Sequence, residues 1–442
     1  IERQDGKEYL IKRPGKAHFT VTPTLPAPGQ GLWVFNSKLY AVAANKLYDI
    51  TSGTSTNLGT LSNTGKNISW CNTGALTSPA PYMVLHDMAG GYVVDVTGAF
   101  SAINSAGFPE TQVHGLVYLD GYVFVMDEQA QIWQSDQEDP YTWGALNYLT
   151  VKGEPDKGVG IAKHYNYLVA FKQWTTEFLY NNANPTGSVL SINMPARIEI
   201  GCADGHSIVQ LEETVVWMGH VKEGGRNVCM LEGSRPKIIS TGPVEHFLNA
   251  SDLTLTYSWA FKMAGHTFYG LVLTDQDITL VYDLKEKEWH VWTTSKTFFG
   301  GGEGYFECTF IQEINNVIRV MDAVDGTTYT LSPSNYQDPY GPVTVRLVTP
   351  RYDFGTYKRK SCGRLTVYGD STSGSLQVRH TNDDYATWST YRNIDLTKEK
   401  PHLDKQGSFI RRAYELLYTE NYSLTLEKMS LDISGELPQV GG

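Results

Sequence analysis

Paired carboxylates are the first residues in this sequence that could do chemistry, because a glycoside hydrolase needs two of them on facing loops. Acidic residues cluster at Glu138-Asp139, at Glu154 with Asp156, and at Glu212-Glu213. Adjacent residues on a strand point to opposite faces of a sheet, so none of these clusters makes a catalytic pair by itself. We therefore predict solvated loop charges at these positions and assign no catalytic residue.

Metal, cofactor and nucleophile motifs are missing from the sequence. The 11 His are isolated, so we expect His220, His266 and His290, which lie in or beside apolar strands, to be ordinary core or loop residues. The Gly-rich stretches 158–160 and 300–304 match neither GxGxxG nor GxxxxGKS, and GxSxG does not occur. We predict turns or close backbone approaches at these glycines. We assign no metal ligand, no cofactor-binding residue and no cofactor.

Two groups of side chains have both a functional and a structural interpretation. Trp133, Trp143 and Trp174 could stack on sugars if they are exposed, whereas core packing is the alternative. The run Lys358-Arg359-Lys360 is the one triple basic run in the sequence. It could touch DNA or an acidic partner, whereas a solvated loop is the alternative.

Residues 381–388 resemble the Asp box of sialidases, S/T-x-D-x-G-x-x-W. Tyr385 stands where that motif has Gly. The Asp box is a hairpin device in which the Asp binds turn amides and the Trp packs inside the blade or sandwich. We therefore predict structural roles for Asp383 and Trp388.

A repeated hairpin is the clearest sign of the elements that hold these residues. Each copy has an apolar strand with an aromatic residue near its start, a short polar turn and a second strand, as at 39–42 and 46–50. Seven copies are anchored at residues 40, 82, 122, 167, 216, 268 and 317. This loose period of about 40–50 residues is that of four-stranded propeller blades, and the alternative is a stack of unrelated hairpins.

The chain as a whole is predicted to be all-β. We expect a β-propeller of six or seven blades over residues 1–335 and a Pro-rich linker over 336–342. A C-terminal β-sandwich or jelly-roll-like domain is expected over 343–442. The linker follows from residues 332–342, which hold three Pro with Asn, Asp and Gly. Short alternating strands resume after it.

Composition and charge exclude several classes of protein. Charged residues make up 19% and hydrophobic residues 41%, which fits a folded chain, and no apolar run approaches the ~20 residues of a membrane-spanning helix. A net charge of −11 argues against a protein that grips phosphate backbones. Residues 340–442 carry 14 Lys and Arg against 12 Asp and Glu, so the acidic excess belongs to residues 1–339. Five scattered Cys without a CxxC pair favour a reducing compartment.

Four sequence segments, taken in their order along the chain, resemble those of a known family. They are Arg13-Pro14-Gly15 before the first hairpin; 155–161 leading into strands near 167 and 176–180; 265–269 with 280–283 and 288–292; and 410–416 with a last strand pair at 422–433. In this order, over most of the chain, they resemble the tail hub of short-tailed bacteriophages. That family is also called the packaged-DNA stabilisation protein or tail nozzle.

The resemblance implies a structural virion protein and not an enzyme. Hubs of this family are propeller subunits in a ring, a homohexamer below the portal and its adaptor, with a tail plug or needle beneath and tail fibres or tailspikes attached. The ring retains packaged double-stranded DNA and conducts it through the bore without sequence-specific binding. The implied location is the phage tail, after synthesis in the host bacterial cytoplasm. Residues that contact partners or DNA stay unassigned.

Charge agrees with this expectation in one respect. Six copies of the chain carry a formal −66, and duplex DNA carries one negative charge about every 1.7 Å of its axis. An acidic or neutral bore would let DNA slide, whereas a Lys/Arg-lined bore would hold it. The alternative function comes from a different class: a carbohydrate-binding or glycoside-cleaving β-propeller that works as a monomer.

Overall fold

The computed structural model describes residues 2–4, 7–62, 65, 67–74, 81–211, 213–253, 255–296 and 302–434. The chain divides into two compact units. Unit 1 comprises Ile1–Ala17, Thr293–Gly304 and Leu331–Gly442, and unit 2 comprises His18–Trp292 and Tyr305–Thr330.

Seven antiparallel sheets of four or five strands, here called blades 1 to 7, follow one another through the described part of residues 15–332. Blades 1 to 3 consist of Gly29–Phe35, Lys38–Ala43, Lys46–Asp49 and Thr56–Thr60; Ser69–Asn72, Met83–His86, Gly91–Val94 and Phe100–Ala102; and Val117–Leu119, Tyr122–Met126, Gln131–Asp136 and Asp139–Thr150. Blades 4 and 5 consist of Gly158–His164, Tyr167–Lys172, Thr176–Asn181 and Leu190–Ile192; and Gly201–Cys202, Val209–Gln210, Val215–His220, Arg226–Glu232 and Arg235–Ile238. Blade 6 consists of Thr256–Met263, His266–Leu273, Ile278–Asp283, Glu288–Lys296 and Gly302–Tyr305, and blade 7 of Phe310–Ile314, Val317–Met321, Thr328–Ser332 and Gly15–His18.

The seven predicted hairpins are the second and third strands of their blades, except in blade 5, where the hairpin strands Val215–His220 and Arg226–Glu232 follow two short strands. In blade 2 these strands, Met83–His86 and Gly91–Val94, are buried at every residue, because each blade packs between two neighbours. The first and fourth strands, Ser69–Asn72 and Phe100–Ala102, include exposed residues and read less clearly in the sequence. The predicted all-β propeller is therefore confirmed, and the described residues form seven blades.

Large apolar side chains fill the spaces between the blades. Between blades 4 and 5, Phe171 and Phe178 pack with Trp217, whose Nε1 donates to the carbonyl oxygen of Gly201 at 3.0 Å. Blade 1 packs against blade 7 through a cluster that includes Leu39, Ala41, Ile314 and Met321. The backbone amide of Phe19 donates to the carbonyl oxygen of Thr328 at 2.9 Å. These contacts join the two ends of unit 2.

A buried Asp recurs after the second strand in three blades. Oδ1 of Asp87, of Asp127 and of Asp322 each accepts a hydrogen bond from the backbone amide two residues ahead. This is the Asx turn that lets Asp replace a backbone group in a tight bend. Part of the acidic excess of residues 1–339 therefore has a structural use in the turns.

Helices are short in the described residues. The α-helix Gly242–Ala250 has Pro in its first turn and buries Val244 and Leu248 in the core shared by blades 5 and 6. The 3₁₀ helices are Met194–Ala196, Gly205–Ser207 and Thr274–Gln276. Among the described residues, no helix has both the length and the hydropathy to cross a membrane.

Unit 1 contains two larger antiparallel sheets with one common core. In spatial order the first sheet is Glu2–Gln4, Lys7–Ile11, Thr425–Ser434, Lys360–Gly369 and His402–Phe409, and the second is Val345–Val348, Ala413–Tyr418, Ser375–Thr381 and Arg392–Asp395. A small hairpin joins Gln337–Asp338 and Gly341–Pro342. Leu365 and Leu426 of the first sheet pack with Leu376 and Tyr414 of the second. A sandwich needs such a shared core, and the sandwich itself stays a prediction.

The compact units divide the chain at other places than the predicted limits of 335 and 343. Leu10 pairs with Leu426, so the first strands of the chain belong to the sheet that also holds Thr425–Ser434. For this reason Ile1–Ala17 groups with unit 1, whereas the sequence-based limits placed it with the propeller.

Candidate functional site

A cavity of about 530 Å³ lies where the first strands of the seven blades converge in unit 2. Aromatic side chains form much of its wall, with Trp33 from blade 1, Trp70 from blade 2, Tyr257 from blade 6 and Phe310 from blade 7. Trp33 and Trp70 are nearly parallel, with 4° between their planes and 6.3 Å between ring centroids. Both are half-buried, so each contributes part of its surface to the cavity.

Two imidazoles lie on the wall of the same cavity. The ring centroids of His114 and His206 are 5.2 Å apart. Nδ1 of His206 lies 3.0 Å from Oδ1 of Asp204, which also accepts the His206 backbone amide. Nδ1 of His114 and Oδ2 of Asp204 have no hydrogen-bond partner among the described residues.

Burial and hydrogen bonds act on the ionisation of His114 and Asp204. Burial, followed by the nearby His206, lowers the pKa of His114 to about 3. Burial opposes ionisation of Asp204, but the hydrogen bonds and charge of His206 outweigh it and lower the pKa of that carboxyl. His114 is therefore neutral near pH 7 and offers one ring donor and one ring acceptor.

Backbone contacts between blades hold His114 in place. Gly115 has φ +99°, and a Cβ there would lie 2.0 Å from the carbonyl oxygen of Ile161. The amide of Gly115 donates to Oγ of Ser69 at 2.9 Å, and the amide of Ile161 donates to the carbonyl oxygen of His114 at 2.9 Å. A side chain at 115 would separate strands that meet here, which explains the glycine next to His114.

The cavity has little charge. Of the described residues that line it, Glu313 is the single carboxylate and Lys262 the single Lys or Arg. Glycoside hydrolysis needs two carboxylates, so this lining does not supply the usual pair. No group of three or more His, Cys, Asp or Glu in the described part of the chain could hold a metal ion.

The predicted acidic clusters lie elsewhere and do not form a site. Oε1 of Glu138 accepts a hydrogen bond from Tyr118, and Oδ1 of Asp139 accepts the amide of Tyr141 in the same blade. Glu213 is exposed, and Glu212 lies outside the described residues.

The prediction of a solvated loop charge is wrong for Asp156. Its carboxylate is 4% exposed and lies 2.7 Å from Nζ of the fully buried Lys172. Lys172 also lies 2.9 Å from Oε1 of Glu177, whose side chain is 1% exposed. Glu154 forms a more exposed ion pair with Arg197 at 2.8 Å. The contact of Asp156 with Lys172, 16 positions further along the chain, buries a carboxylate that the sequence placed in a loop.

The three predicted tryptophans pack against protein groups outside the cavity. Trp133 stacks on Tyr148 with 4.5 Å between ring centroids, and its Nε1 donates to Asp127. Trp143 is 3% exposed and belongs to the core between blades 2 and 3. Trp174 is half-buried beside His220, with ring centroids 4.3 Å apart.

The other two predicted histidines lie in blade 6. Nδ1 of His266 lies 2.6 Å from Oδ2 of Asp283, and both side chains are buried. Burial lowers the pKa of His290 to about 4, and its Nε2 has no hydrogen-bond partner among the described residues. Neither ring lines the cavity.

The remaining glycines and cysteines have packing roles where the structure describes them. A Cβ on Gly158 would lie 2.4 Å from the carbonyl oxygen of Asp127, and one on Gly160 would lie 2.6 Å from Cδ1 of Ile208. Both glycines lie within the strand Gly158–His164, and each permits a close approach of another segment. Residues 300 and 301 of the second Gly-rich stretch lie outside the described residues. The five cysteines, at positions 71, 202, 229, 308 and 362, are buried.

In unit 1, the Asp-box segment forms a tight turn. Asp383 accepts the backbone amide of Thr387 at 2.9 Å and the hydroxyl of Thr381 at 2.7 Å. Trp388 is half-buried under the guanidinium of Arg379, 4.9 Å from the ring centroid, and not in the core.

The basic run of unit 1 is only partly exposed. Lys360 is 2% exposed, and its Nζ donates to the carbonyl oxygens of Thr356 and Lys358. Arg359 donates to Oγ of Ser408. Lys360 is thus held by its own loop.

Sequence reasoning missed every side chain that forms the cavity. Trp33, Trp70, His114 and His206 all lie on or beside the first strand of a blade. Counting back one strand from each hairpin anchor would have located these positions. The signal is weak because the innermost strands are mixed in polarity and some of them, such as Val117–Leu119, are short.

Comparisons with known proteins agree with the fold. A model of the phage stabilisation family, described as Bacteriophage P22 Gp10, beta-propeller, matches residues 2–336. None of the curated proteins compared matches the chain. Among solved structures, BamB from Moraxella catarrhalis is 10% identical, with a TM-score of 0.43 over 73% of this chain and 98% of its own. A catalytically inactive virginiamycin B lyase from Staphylococcus aureus, solved with quinupristin, is 10% identical, with a TM-score of 0.47 over 74% of this chain and all of its own.

Structural likenesses of this size carry no argument about function. The family match is different, because it spans well over half of the chain and includes all seven hairpins. The chain therefore belongs to the Bacteriophage P22 Gp10 beta-propeller family of phage tail hub, or stabilisation, proteins.

Proposed function

We propose that this protein is a non-enzymatic subunit of a ring-shaped tail hub, a homohexamer that extends the portal–adaptor channel of a phage. The ring retains packaged DNA, conducts it during ejection and anchors tail fibres or tailspikes, with a plug or needle below. The subunit is synthesised in the host cytoplasm and becomes part of the virion tail. The observation that carries the proposal is the family match over residues 2–336.

The size of the cavity supports a conduit made by several copies. Its volume of about 530 Å³ is in the range of small-molecule sites. Duplex DNA has a major groove that alone is about 12 Å wide and about 8.5 Å deep, so a duplex does not fit there. A DNA path therefore has to lie between subunits, around a common axis.

The charge of the chain supports a bore that does not grip DNA. The net charge is −11, and the acidic excess belongs to residues 1–339. The triple basic run 358–360 contributes little accessible positive charge for binding DNA, because Lys360 is buried and donates to its own loop. Strong non-specific binding depends on Lys and Arg that neutralise phosphates. We therefore propose an acidic or neutral bore through which the duplex slides.

We also propose that this protein catalyses no reaction. Among the described residues the cavity lining offers a single carboxylate, and the predicted acidic clusters are engaged in separate contacts. The glycoside-cleaving alternative would need a second carboxylate facing the first.

Negative-stain electron microscopy with native mass measurement tests the ring. Six subunits of 49.3 kDa give about 296 kDa, and we expect particles of this mass with an axial hole. Since virion rings often assemble on a neighbour, the same measurement is made after mixing with a purified portal–adaptor complex. A protein that stays monomeric alone and does not bind the portal–adaptor complex contradicts the proposal.

A further inference from the structure

The cavity on the axis of unit 2, here called the axial cavity, has a wall made largely of aromatic side chains. Trp33 and Trp70 expose part of their rings to the cavity in nearly parallel planes. Nε1 of Trp33 is fixed by a 3.0 Å hydrogen bond to Oδ1 of Asn72. The ring of Trp70 lies over Gly31, where a Cβ would come within 2.9 Å of it. Both rings are held in place before any ligand arrives, which lowers the entropic cost of binding.

Polar side chains interrupt the aromatic wall. Asn67, Gln210 and Gln312 are partly or fully exposed and line the same cavity. Their amides each offer donors and an acceptor. An apolar ligand would leave these groups without partners after losing their water, which costs binding energy. The lining therefore favours a ligand with many hydroxyl or amide groups.

The low charge of the lining further restricts the class of ligand that the cavity can bind. Phosphate groups are usually held by several Lys or Arg, or by helix N-termini. Here Lys262 is the single Lys or Arg among the described lining residues, and Glu313 of the same lining repels anions. A ligand without net charge fits this balance best.

The two imidazoles supply hydrogen-bonding groups inside the cavity. Both rings line the cavity and are partly exposed, although Nδ1 of His114 is itself buried, and His206 is oriented by Asp204. Burial keeps the pKa of His114 at about 3, so this ring can both donate and accept near pH 7. Hydroxyl groups need partners of both kinds.

We propose that the axial cavity binds a short, uncharged saccharide, with Trp33 and Trp70 stacking on the sugar rings. The amides and the two imidazoles bind the hydroxyls. The volume of about 530 Å³ suits a small ligand of this kind. The site binds and does not cleave, because its lining has one carboxylate. This inference goes beyond the hub role and does not depend on ring formation.

Titration with maltose, cellobiose and N,N′-diacetylchitobiose, followed by tryptophan fluorescence and calorimetry, tests the site. We expect saturable binding of at least one disaccharide below about 10 mM. Trp70→Ala should weaken that binding about tenfold or more. Gln312→Ala, a partly exposed position, should also weaken it and provides a second variant if Trp70→Ala does not fold. Trp133→Ala is the matched control, since Trp133 stacks on Tyr148 outside the cavity lining.

Glucose and glucose 6-phosphate separate a neutral from a phosphorylated ligand. Tighter binding of glucose 6-phosphate than of glucose overturns the assignment of an uncharged ligand. Lack of saturation by all three disaccharides at about 10 mM overturns the site itself. Binding that both cavity variants leave unchanged, with their thermal midpoints near that of the parent protein, also overturns it.

Discussion

Replacement of Lys172 by methionine should lower the free energy of unfolding of the propeller by about 3–5 kcal/mol. Lys172 ends the second strand of blade 4 and is fully buried. Its Nζ lies 2.7 Å from Oδ1 of Asp156 and 2.9 Å from Oε1 of Glu177, and it donates to the carbonyl oxygen of Glu154 at 2.8 Å. One cation thus serves two carboxylates in the interior.

The magnitude follows from what the substitution leaves behind. The side chains of Asp156 and Glu177 are 4% and 1% exposed, so water does not replace the lost ammonium group. Apart from the ion pair, neither carboxylate oxygen of Glu177 has a hydrogen-bond partner among the described residues. Removal of one partner from a buried ion pair costs about 3–5 kcal/mol for this reason. Methionine replaces the aliphatic part of the lysine side chain with a similar volume and lacks the ammonium group, so the loss reports charge more than packing.

Urea unfolding at pH 7, followed by tryptophan fluorescence, measures the effect. Lys38→Met is the control, because Lys38 pairs with Asp49 at 3.6 Å on the surface, with side chains 38% and 21% exposed. An exposed pair of this kind contributes about 0–1 kcal/mol. A triple variant, Lys172→Met with Asp156→Asn and Glu177→Gln, removes all three charges and should recover a large part of the loss.

Two results would refute this reasoning. In the first, Lys172→Met loses no more stability than Lys38→Met. In the second, the triple variant is no more stable than Lys172→Met, which would assign the loss to packing or to the contact with the Glu154 carbonyl.

Three further predictions concern acid stability, backbone strain and DNA. Hydrogen bonds from Thr387 lower the pKa of Asp383 to about 2, against about 3.9 in the unfolded chain. The stability that the ionised Asp383 contributes is therefore present above about pH 4 and is lost toward about pH 2. The thermal midpoint should fall over that pH range, and it should fall less in Asp383→Asn. Gly115→Ala should cost more than about 1 kcal/mol in urea unfolding, since its Cβ would meet the Ile161 carbonyl. Gly98→Ala, with φ +93° and open space, should cost less, and equal losses would contradict the role of the clash. In electrophoretic shift assays at about 150 mM salt, the protein should not retain duplex DNA, and a stable complex would count against a sliding bore.

The architecture of the propeller could be predicted from the amino-acid sequence alone. The hairpin strands of the blades are largely buried, and in blade 2 every residue of both strands is buried, so their apolar runs and the period of 40–52 residues between their anchors stand out. Seven such hairpins correspond to the seven observed blades. The order of four segments also indicated the family that the match over residues 2–336 shows.

The cavity inside the propeller and the residues that line it depend on tertiary packing. The cavity takes residues from all seven blades, and Trp33, Trp70, His114 and His206 are brought together by ring closure and not by local spacing. The pairing of Leu10 with Leu426, which places the start of the chain in unit 1, is likewise not visible in either segment alone. Burial on two faces leaves a regular pattern in each strand, whereas a contact between distant strands depends on how the sheets pack. For this reason the blades could be predicted and their common cavity could not.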